Sequence, residues 1–278
     1  MREFITSRQN PRIRAVCGLA EKKKRKEAER FRLDGVKLLG EALSSGAEIV
    51  SVFLREPVSP LVEQMIEGAI AEGRLSEARM FSVNDSVFEK LSEEKSPEGV
   101  LTVCRFLGEL HTTVSREEIE SLDLTGETLL LAESLRDPGN LGTVMRSCAA
   151  LGIDRLILSA DCADLYNPKT VRSAMGALFR LPTLTVATED MPLLIERLRA
   201  SGRRVFGAAL REDAAEIGRF PLRSGDCFVI GNEGHGLSER VLDACDGAAI
   251  IPMREGNESL NAAAAAAICI WETVRGGK

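Results

Sequence analysis

Short apolar runs alternate with segments of helical periodicity along the first part of the chain. At 49–54, apolar and polar positions alternate with a period of two, as in a strand with one buried face. At 35–44, apolar side chains recur at helical spacing. The pattern predicts strands at 30–34, 49–54 and 99–104 and helices at 35–44, 62–71 and 86–91. Together these elements indicate a small α/β region.

The spacing of apolar positions changes after residue 125. The segment Leu129–Ala132 is almost continuously apolar, which is typical of a strand buried on both faces. Further strands are predicted at 155–158, 181–186, 204–208, 227–230 and 248–251, with helices at 140–151, 168–178, 192–201, 237–243 and 259–274. Strands that alternate with helices predict a mostly parallel sheet with helices on both faces.

These patterns divide the chain into two domains. Residues 1–106 form the smaller N-terminal domain, and 125–278 form the second domain. The polar, weakly patterned segment 107–124 is interpreted as a linker with a short helix. The alanine run at 262–267 favours a helix without bulk, which can pack close to the sheet or to a partner chain.

Composition narrows the class of protein. The hydrophobic content of 44% supports an extensive core, yet no apolar run reaches the ~18 residues of a membrane-spanning helix, and the N-terminus lacks a signal core. The seven cysteines include no Cys-x-x-Cys pair, and there are only two histidines. These counts argue against a disulfide framework or a metal site. We therefore expect a cytoplasmic protein without a membrane segment or a bound metal.

The charge is distributed unevenly along the chain. Residues 1–34 carry 11 Lys and Arg against five Asp and Glu, although the whole chain has a net charge of −6. A basic arm on an acidic body can bind a phosphate backbone locally. The alternative is a solvated helical face, in which Lys22, Lys23, Lys24, Arg25 and Lys26 are interleaved with glutamate.

Three stretches rich in Gly and Asn follow predicted strands in the second domain and lead into predicted helices. They occupy 140–146, 231–236 and 251–261. Ligand sites of α/β proteins lie at such strand ends. The glycine-rich stretch comes late in the chain and matches neither a Walker loop nor the dinucleotide-binding Gly-x-Gly-x-x-Gly pattern. Its three glycines allow close backbone approach to a ligand.

Several side chains in these stretches could bind or react. Asn140 can cap the following helix. Arg146 lies two turns into that helix and is either a functional residue or an ordinary surface arginine. Glu233 could accept a hydrogen bond from a hydroxyl or an amine. His235 could act as a general base or be an exposed loop histidine.

The last stretch contributes two polar candidates. Ser259 is a plausible N-cap for the alanine-rich helix. Asn261, in the first turn of that helix, can hydrogen-bond across to another loop. Taken alone, each of these two residues is explained equally by a purely structural role.

Taken together, the three stretches resemble the motifs of the SpoU/TrmH family of RNA ribose 2′-O-methyltransferases, within the SPOUT superfamily. NLGTVMRSCAALG (140–152) looks like motif 1, VIGNEGHGLS (229–238) like motif 2 and IPMREGNESLNAAAAAA (251–267) like motif 3. The segment 167–182 also looks like the family. In the N-terminal part, FRLDG (31–35) and SPEGV (96–100) are similar to the family's substrate-binding domain.

The resemblance implies a fold, a cofactor and a set of partners. The second domain would contain a deep trefoil knot, one of the exceptions to the rule against knots, and the N-terminal domain would have a ribosomal-protein-like RNA-binding fold. S-adenosyl-L-methionine would bind in the knot, held mainly by backbone groups of motifs 2 and 3. The chain would form a homodimer with the site near the interface.

Residue roles carry over by motif position. The resemblance assigns catalysis or substrate placement to Arg146, Asn140, Glu233, Ser259 and Asn261. It assigns cofactor binding to Gly231, Asn232, Gly234, Ile251, Leu260 and Ala209. The guanidinium of Arg146 keeps its proton in proteins. We therefore expect it to stabilise a developing alkoxide or to fix a neighbouring phosphate, rather than to act as a base.

The expected reaction is methylation of a ribose 2′-hydroxyl, with ribosomal RNA favoured over tRNA as the substrate. The sequence leaves two alternative functions open. One is a tRNA methyltransferase of the same superfamily, including one that modifies a base. The other is a non-catalytic RNA-binding or ribosome-assembly protein on the same scaffold.

Overall fold

The computed structural model describes residues 2–254 and 259–276. The chain divides into two compact units. The first unit consists of Met1–Leu107 and Tyr166–Phe179, and the second consists of Gly108–Leu165 and Arg180–Lys278. None of the helices in the described ranges is long and apolar enough to cross a membrane.

The first unit is built on a five-stranded mixed sheet. Its strands run in the order β1-β4-β3-β5-β2, with β5 antiparallel to both β2 and β3. The elements up to the end of this sheet are β1 Glu3–Ile5, α1 Pro11–Gly18, α2 Lys22–Ala28, β2 Arg30–Asp34, α3 Val36–Ser45, β3 Ile49–Arg55, α4 Pro60–Ala71, β4 Met80–Val83, α5 Asp85–Leu91 and β5 Val100–Arg105.

The predicted strands and helices of this region are all present, with ends shifted by one or two residues. Periodicity missed β1, β4, α1 and α2. Strand β1 has only three residues, and β4 is buried at all four positions, so neither presents an alternating pattern. Helix α1 begins with a side-chain cap from Asn10 and a proline at its first position, a start signal that the apolar pattern does not include.

The second unit contains an eight-stranded sheet in the order β11-β13-β10-β12-β7-β8-β9-β6. All strand pairs in its described part are parallel, as predicted. The remaining elements in chain order are β6 His111–Val114, α6 Arg116–Ser121, β7 Leu129–Ala132, α7 Pro138–Leu151, β8 Arg155–Ser159, α8 Pro168–Ala174, β9 Thr183–Val186, α9 Met191–Ala200, β10 Val205–Ala208, β11 Ala215–Glu216, β12 Cys227–Ile230, α10 Glu239–Ala244, β13 Gly247–Ile250 and α11 Ala262–Gly276.

The segment 107–124, interpreted from sequence as a linker with a short helix, has more structure than that. Strand β6 pairs with β9 along its whole length at the edge of the large sheet. Helix α6 follows, closed by a capping box between Ser115 and Glu118. An edge strand faces solvent and tolerates polar side chains, which is why Thr112 and Thr113 gave no strand signal.

Helix α8 belongs to the first unit, although its sequence lies between strands of the second. Tyr166, which precedes it, stacks on Phe106 with ring centroids 4.1 Å apart, and its hydroxyl accepts a hydrogen bond of 2.8 Å from the Leu107 amide. Arg172 in α8 forms an ion pair of 2.8 Å with Glu94. Aromatic packing and a satisfied hydroxyl therefore fix this segment in the first unit.

In the second unit, helix α11 packs along α7 and against β12. Its small side chains Ala262, Ala263 and Ala266 are buried, which is the close packing expected of the alanine run. On the opposite side of the helix, Ile268 and Trp271 are 36% and 55% exposed. The helix thus has one packed face and one apolar face in solvent.

The basic residues at the start of the chain do not all belong to a solvated face. Arg25 is 1% exposed, and its guanidinium donates to the carbonyl oxygens of Leu19 and Ala20 at 2.8 and 2.7 Å. These carbonyls lie directly after the end of α1, where a cation interacts favourably with the helix dipole. Lys26, its neighbour in α2, is exposed.

We expect Arg25→Ala to lower the free energy of unfolding by about 2 kcal/mol, because the buried Leu19 carbonyl and the Ala20 carbonyl lose charge-assisted donors. The matched change Lys26→Ala is expected to stay within about 0.5 kcal/mol of the unchanged chain. Urea unfolding followed by circular dichroism measures both. Equal losses from the two variants would contradict the structural role of Arg25.

Candidate functional site

A cavity of about 500 Å³ opens in the second unit. Its walls come from the segments that follow β10, β12 and β13. These three strands are neighbours or next neighbours in the parallel sheet, so their carboxyl ends meet at one edge. This is the position in which open α/β sheets bind ligands.

Every residue that the motif resemblance assigned to cofactor binding lines this cavity. They come from three loops and are Ala209, Gly231, Asn232, Gly234, Ile251 and Leu260. Glu233 and Ser259, assigned to catalysis or substrate placement, lie on the same walls. Residues 255–258 of the third motif lie outside the described residues.

The loop after β12 is tightly folded. Asn232 and Gly236 exchange two backbone hydrogen bonds of 2.9 and 3.0 Å, and the side-chain oxygen of Asn232 accepts from the amides of Gly234 and His235. A Cβ atom on Gly231 would lie 2.4 Å from the backbone carbon of Gly236. Glycine is therefore required at position 231 for this loop to close.

Three side chains, one from each motif, form a hydrogen-bonded series. The Asn261 amide nitrogen donates to the Asn140 side-chain oxygen at 3.0 Å, and the Asn140 amide nitrogen donates to Glu233 Oε1 at 2.9 Å. The direction of the series is fixed at its start, since Asn261 Oδ1 accepts from the amides of Ala263 and Ala264. Each amide therefore has only one orientation that satisfies its partners, and the series ends on a carboxylate acceptor.

The helix caps differ from those predicted. Asp137, not Asn140, caps α7: its side-chain oxygen accepts a hydrogen bond of 2.8 Å from the backbone amide of Asn140. Asn261, not Ser259, caps the start of α11. The sequence offers two capping side chains close together at each helix start, and propensity alone does not choose between them. Because Asp137 satisfies the helix end, the Asn140 side chain is available to join the other motifs.

Arg146 lies in α7, about 9 Å along the helix axis from Asn140 at 1.5 Å per residue. Its side chain is exposed, in a row with Thr143 and Ala150 that faces away from the buried positions of the helix. The cavity walls do not include Arg146, Asn140 or Asn261. The structure thus brings Asn140, Glu233 and Asn261 into contact and leaves Arg146 on the adjoining surface of α7.

Sequence analysis missed Glu133. This residue follows strand β7, is 4% exposed, and accepts from both the amide and the hydroxyl of Ser238 at 2.8 and 2.7 Å. Ser238 begins α10, directly after the glycine-rich loop. The signal was present in the sequence, since Glu133 is a carboxylate at the carboxyl end of an apolar strand.

His235 remains an exposed loop residue whose backbone amide is bound by Asn232. Arg211, which was not singled out in the sequence, lines the cavity and pairs with Asp213 and Glu239 at 3.3 and 3.5 Å. Across residues 2–254 and 259–276, no group of three or more His, Cys, Asp or Glu side chains is arranged to hold a metal ion.

Comparisons with known proteins identify relatives that match over most of the chain. The chain is 29% identical over 267 residues to the 23S rRNA (guanosine(2553)-2′-O)-methyltransferase RlmP of Bacillus subtilis, covering 96% of this chain and 97% of that protein. A 23S rRNA (uridine(2479)-2′-O)-methyltransferase of Streptomyces viridochromogenes is 38% identical over 140 residues, covering 50% and 49% of the two chains.

Solved structures match over nearly the whole length. An AdoMet-bound rRNA methyltransferase from Sinorhizobium meliloti has a TM-score of 0.82 at 28% identity, covering 98% of this chain and 97% of that one. The SpoU methyltransferase AviRb from Streptomyces viridochromogenes, in complex with AdoMet, has a TM-score of 0.77 at 26% identity, covering 96% and 98%.

Two family models match in succession along the chain. An MRM3-like substrate binding domain matches residues 10–102, and the SpoU rRNA Methylase family matches residues 127–271. The second match spans just over half of the 278 residues and confirms the family and the enzyme class that the three motifs predicted. The chain belongs to the SpoU rRNA methylase family.

Proposed function

We propose that this chain transfers the methyl group of S-adenosyl-L-methionine to a ribose 2′-hydroxyl in ribosomal RNA. The observation that carries the proposal is the hydrogen-bonded series from Asn261 through Asn140 to Glu233. It joins all three motifs and ends on a carboxylate in the wall of the cavity. A non-catalytic RNA-binding protein has no need for such a series beside a cofactor-sized cavity.

The cavity suits this cofactor in its chemistry. S-adenosyl-L-methionine supplies an electrophilic methyl group on a positively charged sulfonium. The glycine-rich loop brings backbone groups to the wall, Ile251 and Leu260 provide apolar surface, and the carboxylate of Glu233 favours a cation. These residues would hold the cofactor largely through backbone and apolar contacts. Ala209 and Asn232 complete the binding wall in this proposal.

Glu233 and its partners prepare the acceptor hydroxyl. Asn140 occupies Oε1 of the exposed Glu233 carboxylate, and we assign the second oxygen to the ribose hydroxyl, as hydrogen-bond acceptor for the proton that must leave. A positioned carboxylate within hydrogen-bond reach is a suitable general base. Ser259, on the same wall, is assigned to substrate placement.

Arg146 has a different role in the proposal. A guanidinium carries no acceptor and does not give up its proton in proteins. We assign it to stabilising the developing alkoxide, or to fixing the phosphate next to the reacting ribose. Its exposure on α7 supports access by a large polyanionic substrate.

Ribosomal RNA is the proposed substrate class because RlmP of Bacillus subtilis and the Sinorhizobium meliloti enzyme, which both match over nearly the whole length, are named as rRNA methyltransferases. In the first unit, exposed cations around α1 and α2 would contact phosphate; among them are Arg8, Arg12, Arg14, Lys22 and Lys26. Such contacts make RNA binding strongly salt-dependent. tRNA is the alternative substrate, and methyl transfer measured with unmodified ribosomal RNA and with tRNA distinguishes the two.

We also propose a homodimer and a knotted second unit. The apolar face of α11, with Ile268 and Trp271 in solvent, is the surface that a symmetric partner would cover. For the knot, the support is that the chain returns after β13 to pack α11 along α7 and β12. All seven cysteines are thiols, which suits the reducing cytoplasm in which we place the protein.

We expect Gly231→Ala to weaken S-adenosyl-L-methionine binding at least tenfold, because the added methyl collides with the backbone of Gly236 and forces the loop open. Isothermal titration calorimetry measures the affinity. Gly247→Ala is the control, since a Cβ there meets no atom within 4 Å, and Gly247 does not line the cavity. An unchanged affinity in the Gly231 variant would argue against the loop as the binding wall.

Arg146→Ala is expected to lower kcat by about 10²-fold or more, as for the loss of one preorganised charge stabiliser. Arg146→Lys keeps the charge but loses the planar guanidinium, so its kcat should lie between those of the unchanged chain and Arg146→Ala. Methyl transfer to unmodified ribosomal RNA measures both, with Arg223→Ala as an exposed control outside the cavity. Retention of most activity in Arg146→Ala would remove Arg146 from the mechanism.

Trp271→Glu should convert the dimer to a monomer, because a charge is placed on the apolar face of α11. Multi-angle light scattering measures the mass. Leu61→Glu offers a matched control, since Leu61 is also an exposed apolar residue, at 63%, but lies in α4 of the first unit. A Trp271→Glu variant that stays dimeric would place the interface elsewhere.

A further inference from the structure

The glycine-rich loop is held from outside as well as from within. The oxygen of the Asn232 side chain is used inside the loop by the amides of Gly234 and His235. Its amide nitrogen leaves the loop and donates to the backbone carbonyl of Ser134 at 2.8 Å. Asn232 therefore connects the folded loop to the segment that follows β7.

Ser134 presents that carbonyl from an unusual conformation. Its φ is 55°, in the left-handed region that residues with a side chain seldom adopt. Such a conformation persists only where the surroundings determine it. Two contacts do so here: the Ser134 amide donates to the Ser159 hydroxyl at 2.8 Å, and the Ser134 hydroxyl donates to Asp161 Oδ2 at 2.6 Å.

Asp161 is the centre of these contacts. Its Oδ2 also accepts from Arg136 at 3.2 Å, and its Oδ1 accepts from the hydroxyls of Ser159 and Thr188 at 2.6 and 2.9 Å. Burial by itself would raise the pKa of Asp161, but the hydrogen bonds from Ser134, Ser159, Thr188 and Arg136 hold the pKa at about 2. The carboxylate is thus an ionised acceptor with both oxygens in use.

The residue before Ser134 holds the other end of the same loop. Glu133 accepts from the amide and hydroxyl of Ser238, while its own amide donates to the carbonyl of Ile230 at 2.8 Å. Glu133 and Ser134 consequently contact the loop before, within and after its glycine-rich turn. The backbone conformation at position 134 sets the direction of the carbonyl that Asn232 binds.

We propose that Asp161 is a positioning residue for methyl transfer: by fixing Ser134, it holds the loop 231–238 in the shape that binds the cofactor. It lies outside the three motifs and does not line the cavity, so it acts through Ser134 and Asn232. The inference rests on the proposed use of the cavity for S-adenosyl-L-methionine. It adds a requirement for the end of β8 that the motifs do not contain.

The test measures S-adenosyl-L-methionine affinity of the full chain by calorimetry. Asp161→Asn replaces one acceptor oxygen by a donor group, and we expect the dissociation constant to rise about tenfold. The matched control is Asp154→Asn, at the start of β8, where the carboxylate accepts from the Thr128 amide at 2.7 Å. Equal affinities for the two variants would overturn the proposal.

A second pair of variants separates positioning from general stability. Glycine adopts a φ of 55° without strain, so Ser134→Gly should bind the cofactor more tightly than Ser134→Ala. Combining Ser134→Gly with Asp161→Asn should restore part of the lost affinity. An alanine variant that binds as well as the glycine variant, or a double variant no better than Asp161→Asn, would contradict the positioning role.

Cofactor binding by the unchanged chain separates failure of the Asp161 proposal from failure of the proposed function. If it binds S-adenosyl-L-methionine and Asp161→Asn binds equally well, only the role of Asp161 is wrong. If the unchanged chain does not bind the cofactor in the same calorimetric titration, the proposed function fails and the role of Asp161 fails with it.

Discussion

The amide side chain of Asn140 is the interaction on which the site depends. It has one donor group and one acceptor atom, and it uses them for Glu233 and Asn261. Because Asn261 is held by the first amides of α11, no amide in the series can turn over without losing a hydrogen bond. A helix start, a helix side chain and a loop carboxylate are thereby fixed relative to one another.

The parallel sheet makes this meeting possible. The three motifs are far apart in sequence, but each follows a strand of one sheet in which the described pairs are all parallel. Their carboxyl ends lie at the same edge, so the loops between strands and helices are brought together. The close packing of Ala262, Ala263 and Ala266 then keeps the last helix against the rest of the unit.

Sequence patterns predicted the helices and strands better than they predicted which side chains would contact one another. The buried strand Leu129–Ala132 was predicted to the residue, since four apolar positions in a row have few other uses. The caps of α7 and α11 were assigned to the wrong neighbour because Asp137, Asn140, Ser259 and Asn261 all have capping side chains. In α7, Asp137 caps and leaves the Asn140 side chain for tertiary contacts, whereas in α11 Asn261 both caps and contacts Asn140.

The contacts of Asp161 lay beyond prediction for a related reason. Ser134, Ser159 and Thr188 are ordinary polar residues in sequence, and they converge on one carboxylate only after β7, β8 and β9 are side by side. Strand β6 was missed because an edge strand can be polar on both faces. In each case the deciding information was a neighbour distant in sequence.

The central claim is that this site methylates a ribose. Incubating the full chain with methyl-labelled S-adenosyl-L-methionine and unmodified ribosomal RNA or tRNA, followed by digestion to nucleosides, tests it directly. We expect label in a 2′-O-methyl nucleoside from ribosomal RNA. Label on a base would contradict the ribose assignment, and label confined to tRNA would contradict the substrate.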